Sequence, residues 1–442
     1  IGTSVDAKLY LAFQILDYAL VMTPGAPVKQ ALLDAGISTD VYSSYETSLY
    51  QPVYSIVAKN SNSKEQGRFV SVINDTLEKL VKDGINERTI EAGINYYEFK
   101  YREADYGPYP KGLMYYLTMM DSWLYDETKP FIHIEAGDTF DELKKDARNG
   151  YFEKLIKEYL LDNNHKSIIS LVPEYGLEKE KEQKEADKLA EYKSTLTNDE
   201  LEELVSKTKE LKEYQDAPSS QEELEKIPML ELSDIKREPA KDYNDVKSVD
   251  GIKIVHHNIF TNKIAYINLS FDTKCVPDEL IPYMGLLGST LSLMDTKNYT
   301  YPELTNEINI NCGGLATGTA LYSDKVDFSK NTIVYEVKSK ALYEKVPFVL
   351  GMMEEIMYNT RFDDYKRLKE IIARIKSRLE ASLMGQGHSI AMLECCAQFS
   401  ESAYYSDILR GYKYYEFIKK LDEEFEQNKT QIVEKLNMLV GY

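Results

Sequence analysis

The sequence lacks any pair of histidines spaced for a metal. Its five histidines (His133, His165, His256, His257 and His388) are scattered over 442 residues, none in His-x-x-His, His-Glu-x-x-His or His-x-x-Glu-His. A helix brings two imidazoles to one zinc ion only at such spacings, so none here is expected to do so. His256 and His257 are consecutive in a predicted strand, which turns them to opposite faces, one packed and one exposed. His165 and His388 read as surface residues. No Gly-x-Ser-x-Gly occurs, and neither Cys395 nor Cys396 has a neighbouring histidine. The four cysteines (with Cys275 and Cys312) form no Cys-x-x-Cys and read as four buried thiols in a reducing, cytoplasmic compartment. Cys312-Gly313-Gly314 lacks the lysine of a phosphate loop and reads as a bend feeding a strand. Tryptophan occurs once, at Trp123. No apolar run approaches the ~20 residues needed to cross a bilayer, so no membrane is expected. The balance of charge is −20, which excludes a nucleic-acid partner, because phosphate binding needs clustered Lys and Arg.

What is present is helical periodicity interrupted by short strands. Leu9, Ala12, Ile15, Leu16 and Leu20 predict a helix over 5–22, stopped by Pro24-Gly25-Ala26-Pro27. A short helix ends at Gly36, and 41–58 reads as two strands around Gln51-Pro52. Phe69, Val70, Ile73, Leu77, Leu80 and Val81 share one face of the next helix, capped by Gly84, and a second helix follows over 87–104. Ser167–Val172 reads as a short buried strand.

Residues 176–215 are mostly Glu, Lys and Leu. Thr197-x-x-Glu200 is a capping box that starts a second helix, so a helical hairpin docking by the thin stripe Leu201, Leu204 and Leu211 is expected. Residues 216–250 read as an extended connector. Beyond them come a strand through Ala265–Phe271, a helix over 278–294, strands around Gly313 and 332–337, helices over 342–358 and 363–384, and three more helical segments. Phe69, Val70, Ile73 and Leu77 are echoed at one constant offset by Phe348, Val349, Met352 and Ile356, which suggests one α+β unit used twice.

The stretches GAPVKQALLDAGI (25–37), LVKDGINERTIEAGINYYEF (80–99), NNHKSIISLVPEYG (163–176), YMGLLGSTLSLMDTKNYTYPELTNEINI (283–310) and GGLATGT (313–319), with the charged hairpin between them, resemble the insulinase or pitrilysin-like zinc peptidases. The order is similar to that of the presequence-protease and falcilysin branch. The resemblance implies an α+β chain of two related insulinase-type domains, mixed or antiparallel sheets packed with helices, joined by a helical hairpin. The boundaries expected are 1–174 for a second domain, 175–250 for the hairpin and connector, and 251–442 for a third domain truncated at its C-terminus. The start IGTSVDAKLYLAFQ, without initiator Met or signal peptide, fits a segment of a longer chain or ordinary processing.

The resemblance further implies a parent zinc metalloendopeptidase that closes around short unstructured peptides. Its zinc ligands lie in flanking domains of the same polypeptide, and this chain alone is inactive, without metal or cofactor. Tyr283-Met284-Gly285-Leu286-Leu287 stands where a catalytic domain would carry its zinc motif and holds neither imidazole nor carboxylate. In relatives a strand after a helix ending in Gly plus an apolar residue pairs with substrate. Here Gly36-Ile37 precedes Tyr42, Ser43, Ser44, Tyr45 and Glu46, the implied peptide exosite, although relatives have glycines at the places of Ser43 and Ser44. The alternatives are a plain structural strand and, for the whole chain, an inactive scaffold subunit like those of processing peptidases.

Overall fold

In the computed structural model, which describes residues 1–238, 243–327 and 329–442, the apolar spacing near the N-terminus forms α1 (Ala7–Asp17) and continues as a π-helical turn over Tyr18–Met22. Asp6 caps α1 by accepting a hydrogen bond from the Leu9 N–H at 2.9 Å. The stretch Ala7–Asp34, which includes α2 (Pro27–Asp34), is long and apolar enough to cross a membrane by composition alone, contrary to the expectation above. Its apolar window is 72% buried, because it forms the centre of a protein core.

Antiparallel β1 (Asp40–Glu46) and β2 (Val53–Lys59) follow, in register from Asp40 opposite Lys59 to Glu46 opposite Val53. Next come α3 (Gln66–Asp83), α4 (Glu87–Glu103), α5 (Lys111–Trp123), α6 (Gly137–Asp146) and the short α7 (Tyr151–Leu155). Asn86 starts α4 by accepting the Arg88 and Thr89 N–H groups. Phe13, Leu16, Leu20, Leu32, Leu77, Phe140, Leu143 and Phe152 close the core of this lobe. Each such buried side chain contributes roughly 1.5–3 kcal/mol. Ser167–Val172 is not the buried strand expected: Ile169 and Leu171 are 77% and 94% exposed, and no described strand pairs with them. Apolar, β-branched residues make a strand only where a neighbour takes up their backbone groups.

The chain divides into two compact units, one of residues 1–168 with 261–442 and one of residues 169–260. The second unit holds α8 (Leu177–Thr195), α9 (Asn198–Asp216), α10 (Gln221–Leu224), β3 (Asp245–Val249) and β4 (Ile252–His256). The Thr197–Glu200 box closes in both directions, Thr197 N to Glu200 Oε2 at 2.8 Å and Glu200 N to Thr197 Oγ1 at 3.3 Å. The leucine stripe is exposed rather than docked, with Leu204 and Leu211 at 43% and 54%. These helices rely on local pairs such as Glu180–Lys184 and Glu203–Lys207, in the favourable order with Glu first. The connector is not extended throughout. Asp250 (φ 51°) and Gly251 (φ 83°) make a two-residue hairpin turn between β3 and β4, the Asp-Gly signal of a tight hairpin. His256 ends β4 and His257 lies beyond it. Both are exposed, so the expected split between packed and exposed fails, because this hairpin has no buried face.

The last segment opens with β5 (Ile264–Asp272), then α11 (Ile281–Thr290), α12 (Tyr301–Asn311), β6 (Leu315–Ser323), β7 (Asn331–Leu342), α13 (Val346–Tyr358) and α14 (Tyr365–Gly385). Four helices rather than three complete it: α15 (Gly387–Cys396), α16 (Glu401–Arg410), α17 (Tyr412–Glu423) and α18 (Phe425–Gly441). Short bends at 397–400, Gly411 and Glu424 split what reads as longer periodic runs. The antiparallel sheet has the order β5-β7-β6. The fold is α+β.

One element order occurs twice: helix, helix, strand, strand, a single 3-10 turn, helix, helix. It runs through α1, α2, β1, β2, α3 and α4, and again through α11, α12, β6, β7, α13 and α14. The echoed side chains face inward in both, Leu77 at 2% and Ile356 at 0% exposure. The two lobes have separate cores and meet through polar contacts. Asn309 Nδ2 donates to Tyr18 Oη at 2.6 Å, Asn306 Nδ2 to Thr89 Oγ1 at 3.0 Å, and Arg88 pairs with Glu307. Lys340 and Tyr266 both donate to Glu103.

Of the cysteines only Cys312 is buried, and burial pushes its thiol up to about 11. Cys275 and Cys395 are exposed and Cys396 is half-buried, which corrects the expectation of four buried thiols. Helix α15, which carries Cys395 and Cys396, buries none of its residues.

Candidate functional site

Strand β1 is held from its start by the end of α2. Gly36 adopts φ +66°, the Gly36 N–H bonds to Leu33 O at 2.9 Å, and the Ile37 N–H bonds to Leu32 O at 3.2 Å. This is the paired-bond helix ending that a left-handed glycine permits, and Ile37, 3% exposed, shares a core with Leu32. Ser38 Oγ then donates to Asp40 O at 2.6 Å, fixing the entry to the strand.

Along β1 the side chains alternate. Val41, Ser43 and Tyr45 turn inward, while Tyr42, Ser44 and Glu46 are exposed. Tyr45 packs its ring 5.8 Å from Phe13 and 6.5 Å from Tyr10. Glu46 Oε1 accepts from the Ser48 hydroxyl at 2.6 Å and the Ser48 N–H at 3.1 Å, which hold this carboxyl below its usual range. The loop after β1 is tied to α5, with Thr47 Oγ1 donating to Asp121 Oδ2 at 2.9 Å and Tyr125 Oη to Ser48 O at 2.8 Å. The five implied exosite residues thus lie on one strand, three pointing out and two pointing in.

Among the described residues β1 is paired only with β2, so its second edge carries main-chain N–H and C=O groups without a strand partner. An open edge of this kind offers a row of donors and acceptors to an extended chain whatever its side chains.

Beneath β1 lies Asp17, 9% exposed, facing the hydroxyls of Ser43 and Tyr54. Burial raises its pKa, and those two hydroxyls oppose the rise. Its Oδ1 and the Tyr45 and Tyr54 hydroxyls complete no hydrogen bond. Sequence reasoning misses this group, although an aspartate inside LAFQILDYALVM is a readable signal: a charge within an apolar helical face is either paired or costly.

The histidines do not converge. His133 is buried, its Nε2 2.8 Å from Ser4 O and its ring stacked on Tyr10 at 3.9 Å, and burial lowers its pKa. His165, His256, His257 and His388 are exposed. Among the described residues no three His, Cys, Asp or Glu side chains are grouped to hold a metal ion. The segment Tyr283-Met284-Gly285-Leu286-Leu287 is core: its four side chains are at most 6% exposed. Any Cβ on Gly285 would lie 2.9 Å from the Tyr414 ring, and one on Gly288 would lie 2.8 Å from Gly318 Cα, so α11 sits directly against α17 and β6.

A family model described as peptidase M16, subfamily C, associated matches residues 171–421, more than half of the chain. "Protein HypA" of Clostridium perfringens is 38% identical over 451 aligned positions, covering 100% of this chain and 46% of that protein. "Presequence protease 1, chloroplastic/mitochondrial" of Arabidopsis thaliana is 29% identical, covering 97% of this chain and 40% of its own length. "Presequence protease, mitochondrial" of Yarrowia lipolytica is 25% identical, covering 100% and 44%. The chain therefore spans under half the length of these relatives.

Proposed function

The chain belongs to this peptidase-associated family, and on that premise we propose that it is the non-catalytic centre of a zinc metalloendopeptidase that degrades short unstructured peptides. Zinc does not fit the residues present here. The helix that would offer a metal motif is buried and apolar from Tyr283 to Leu287, and its glycines hold it against neighbouring backbone. The metal and the water it activates are assigned to flanking segments of the parent polypeptide, and no chemical step is assigned to this chain.

The contribution proposed for this chain is to hold substrate. The observation that carries it is the second edge of β1, without a strand partner among the described residues and anchored at Gly36 and at Ser38. Pairing through main-chain bonds tolerates varied sequences, which suits a peptidase that clears peptides of many kinds. The cytoplasm is the proposed compartment.

The test uses the longer parent protein. Successive N–H groups of a strand point to opposite edges, so one of Ser43→Pro and Ser44→Pro removes a donor from the outer edge. That variant should raise KM roughly 2- to 10-fold for long peptides, the equivalent of about one hydrogen bond. Very short peptides, which do not reach from metal to strand, should be processed unchanged. If both variants fold and neither alters long-peptide KM, the strand is structural only. A chelator should abolish hydrolysis by the parent protein while leaving the melting temperature of this chain unmoved. A parent protein inert towards peptides would favour the scaffold reading.

A further inference from the structure

A second feature of the molecule is independent of the peptide edge. Helix α14 carries Arg367, Arg374 and Arg378 at spacings of seven and four residues, which place all three on one face. That face meets Lys29 of α2 at a cleft of about 20 Å³, lined by Lys29, Arg367 and Arg374 together with Asp40 and Glu370. The volume admits one water-sized group at its floor.

The charges in this cleft do not balance. Four cations (Lys29, Arg367, Arg374 and Arg378) face two carboxylates (Asp40 and Glu370), in a chain whose net charge is −20. Glu370 is already engaged, its Oε2 accepting from Arg367 Nη1 at 3.0 Å. Among the described residues, no carboxylate lies within ion-pairing distance of Lys29, Arg374 or Arg378, whereas the nearby Lys366 has its own partner in Asp34 at 2.6 Å.

Arg367 is the best fixed of the four. It is 7% exposed, its Nε donates to Leu293 O at 3.0 Å, and its guanidinium lies 4.0 Å from the centre of the Tyr301 ring. Its Nη2 is buried and has no hydrogen-bond partner. A buried guanidinium N–H left unsatisfied is costly, and like charges at close range add to that cost. Both costs vanish when an oxygen anion enters. Burial, reinforced by Arg374, lowers the Lys29 pKa to about 8, and burial with Arg378 lowers that of Arg374 to about 10. These directions show how far the two cations are from adequate solvation or pairing.

We propose that this cleft is a binding site for a small oxyanion, one of whose oxygens bonds to Arg367 Nη2 while Lys29 and Arg374 neutralise its charge. Carboxylate and phosphate share this chemistry, since both present planar or tetrahedral oxygens to a guanidinium fork. The source is either the C-terminal carboxylate of a peptide or free phosphate. Arg378, the most exposed of the four, stands at the mouth.

The test is thermal unfolding of this chain at constant ionic strength. The arms are inorganic phosphate, a short peptide with a free C-terminal carboxylate, and the same peptide amidated. Saturating oxyanion should raise Tm by roughly 2 °C or more. A shift with phosphate identifies the free anion as a ligand. A shift with the acid but not the amide identifies the peptide terminus. Arg374→Gln and Lys29→Gln should each abolish the shift, and each should raise the Tm measured without ligand, because a repelling charge is gone. A purely structural arginine behaves in the opposite way, its loss lowering Tm. If neither oxyanion gives a saturable shift, or if the shift survives unchanged in both variants, the site is disproved.

Discussion

Strands β2 and β7 occupy the same place in two copies of one element order, yet β7 is paired on both edges and β2 on one. In the second copy β5 supplies the extra strand, lying against β7 from Ile264 opposite Leu342 to Asp272 opposite Val334. Nothing among the described residues of the first copy corresponds to β5. The consequence is visible in the helix that follows. In α13, Val349, Met352, Met353 and Ile356 are buried, whereas in α3 only Leu77 is. A wider sheet covers more of the helix laid across it. The comparison also separates two open edges of the first sheet. The outer edge of β2 is where β5 would lie, so it is the natural place for a further strand of the same fold. The outer edge of β1 matches the outer edge of β6, which remains an edge in the completed copy. A peptide site therefore belongs on β1 rather than on β2.

The largest effects expected are in the paired core positions. Leu77→Ala and Ile356→Ala should each destabilise by roughly 2–5 kcal/mol in urea unfolding, since both side chains are buried. The comparison sharpens at the next pair, where Met352→Ala should cost more than Ile73→Ala, because Met352 is buried and Ile73 only half-buried. Equal costs would show that the smaller sheet covers its helix as well as the larger one does.

The joint between lobes comes next. Asn309→Ala leaves the Tyr18 hydroxyl, on a residue 1% exposed, without its 2.6 Å donor and should cost about 1–3 kcal/mol. Tyr18→Phe added to that variant should recover part of the loss, and a double-mutant cycle measures the coupling. Independent, additive effects would mean that the lobes are joined elsewhere.

Asp17 gives a pH-dependent effect. Its carboxyl has a raised pKa in the fold, chiefly through burial, so the folded state holds the proton to higher pH than the unfolded chain. Its contribution is therefore most favourable below the unfolded pKa and declines as pH rises through the window up to the folded pKa. Asp17→Asn should stabilise at neutral pH, with the gain shrinking as the solution is acidified. A gain that is constant with pH would show that the carboxylate is solvated. The smallest effect is on the surface: Lys366→Ala breaks an exposed pair with Asp34 and should change stability by no more than about 1 kcal/mol.

Local signals account for what the sequence reveals. Gln51-Pro52 between β-rich runs, Gly36 after a short helix and the Thr197–Glu200 box each determine a turn or cap within a few residues, and each is found at its expected place. Asp250-Gly251 is an equally local signal, hidden inside a stretch that reads as connector. What fails depends on distant partners. Ser167–Val172 has the residues of a strand and no described strand beside it, and the leucines of α9 have the spacing of a docking face and remain exposed. The cation cluster is legible only in part: the arginine spacing on α14 is in the sequence, but its meeting with Lys29, over three hundred residues earlier, is a product of folding. Likewise, Tyr42 to Glu46 read as a strand, whereas the openness of its edge follows from the arrangement of the sheet.

The claim that β1 receives an extended peptide is tested most directly by amide hydrogen exchange of this chain with and without a long unstructured peptide. Slowed exchange is expected at alternate residues from Val41 to Glu46, those whose N–H groups face the outer edge, with β2 unchanged and a very short peptide without effect. Protection confined to β2, or no change along β1 at saturating peptide, would contradict it.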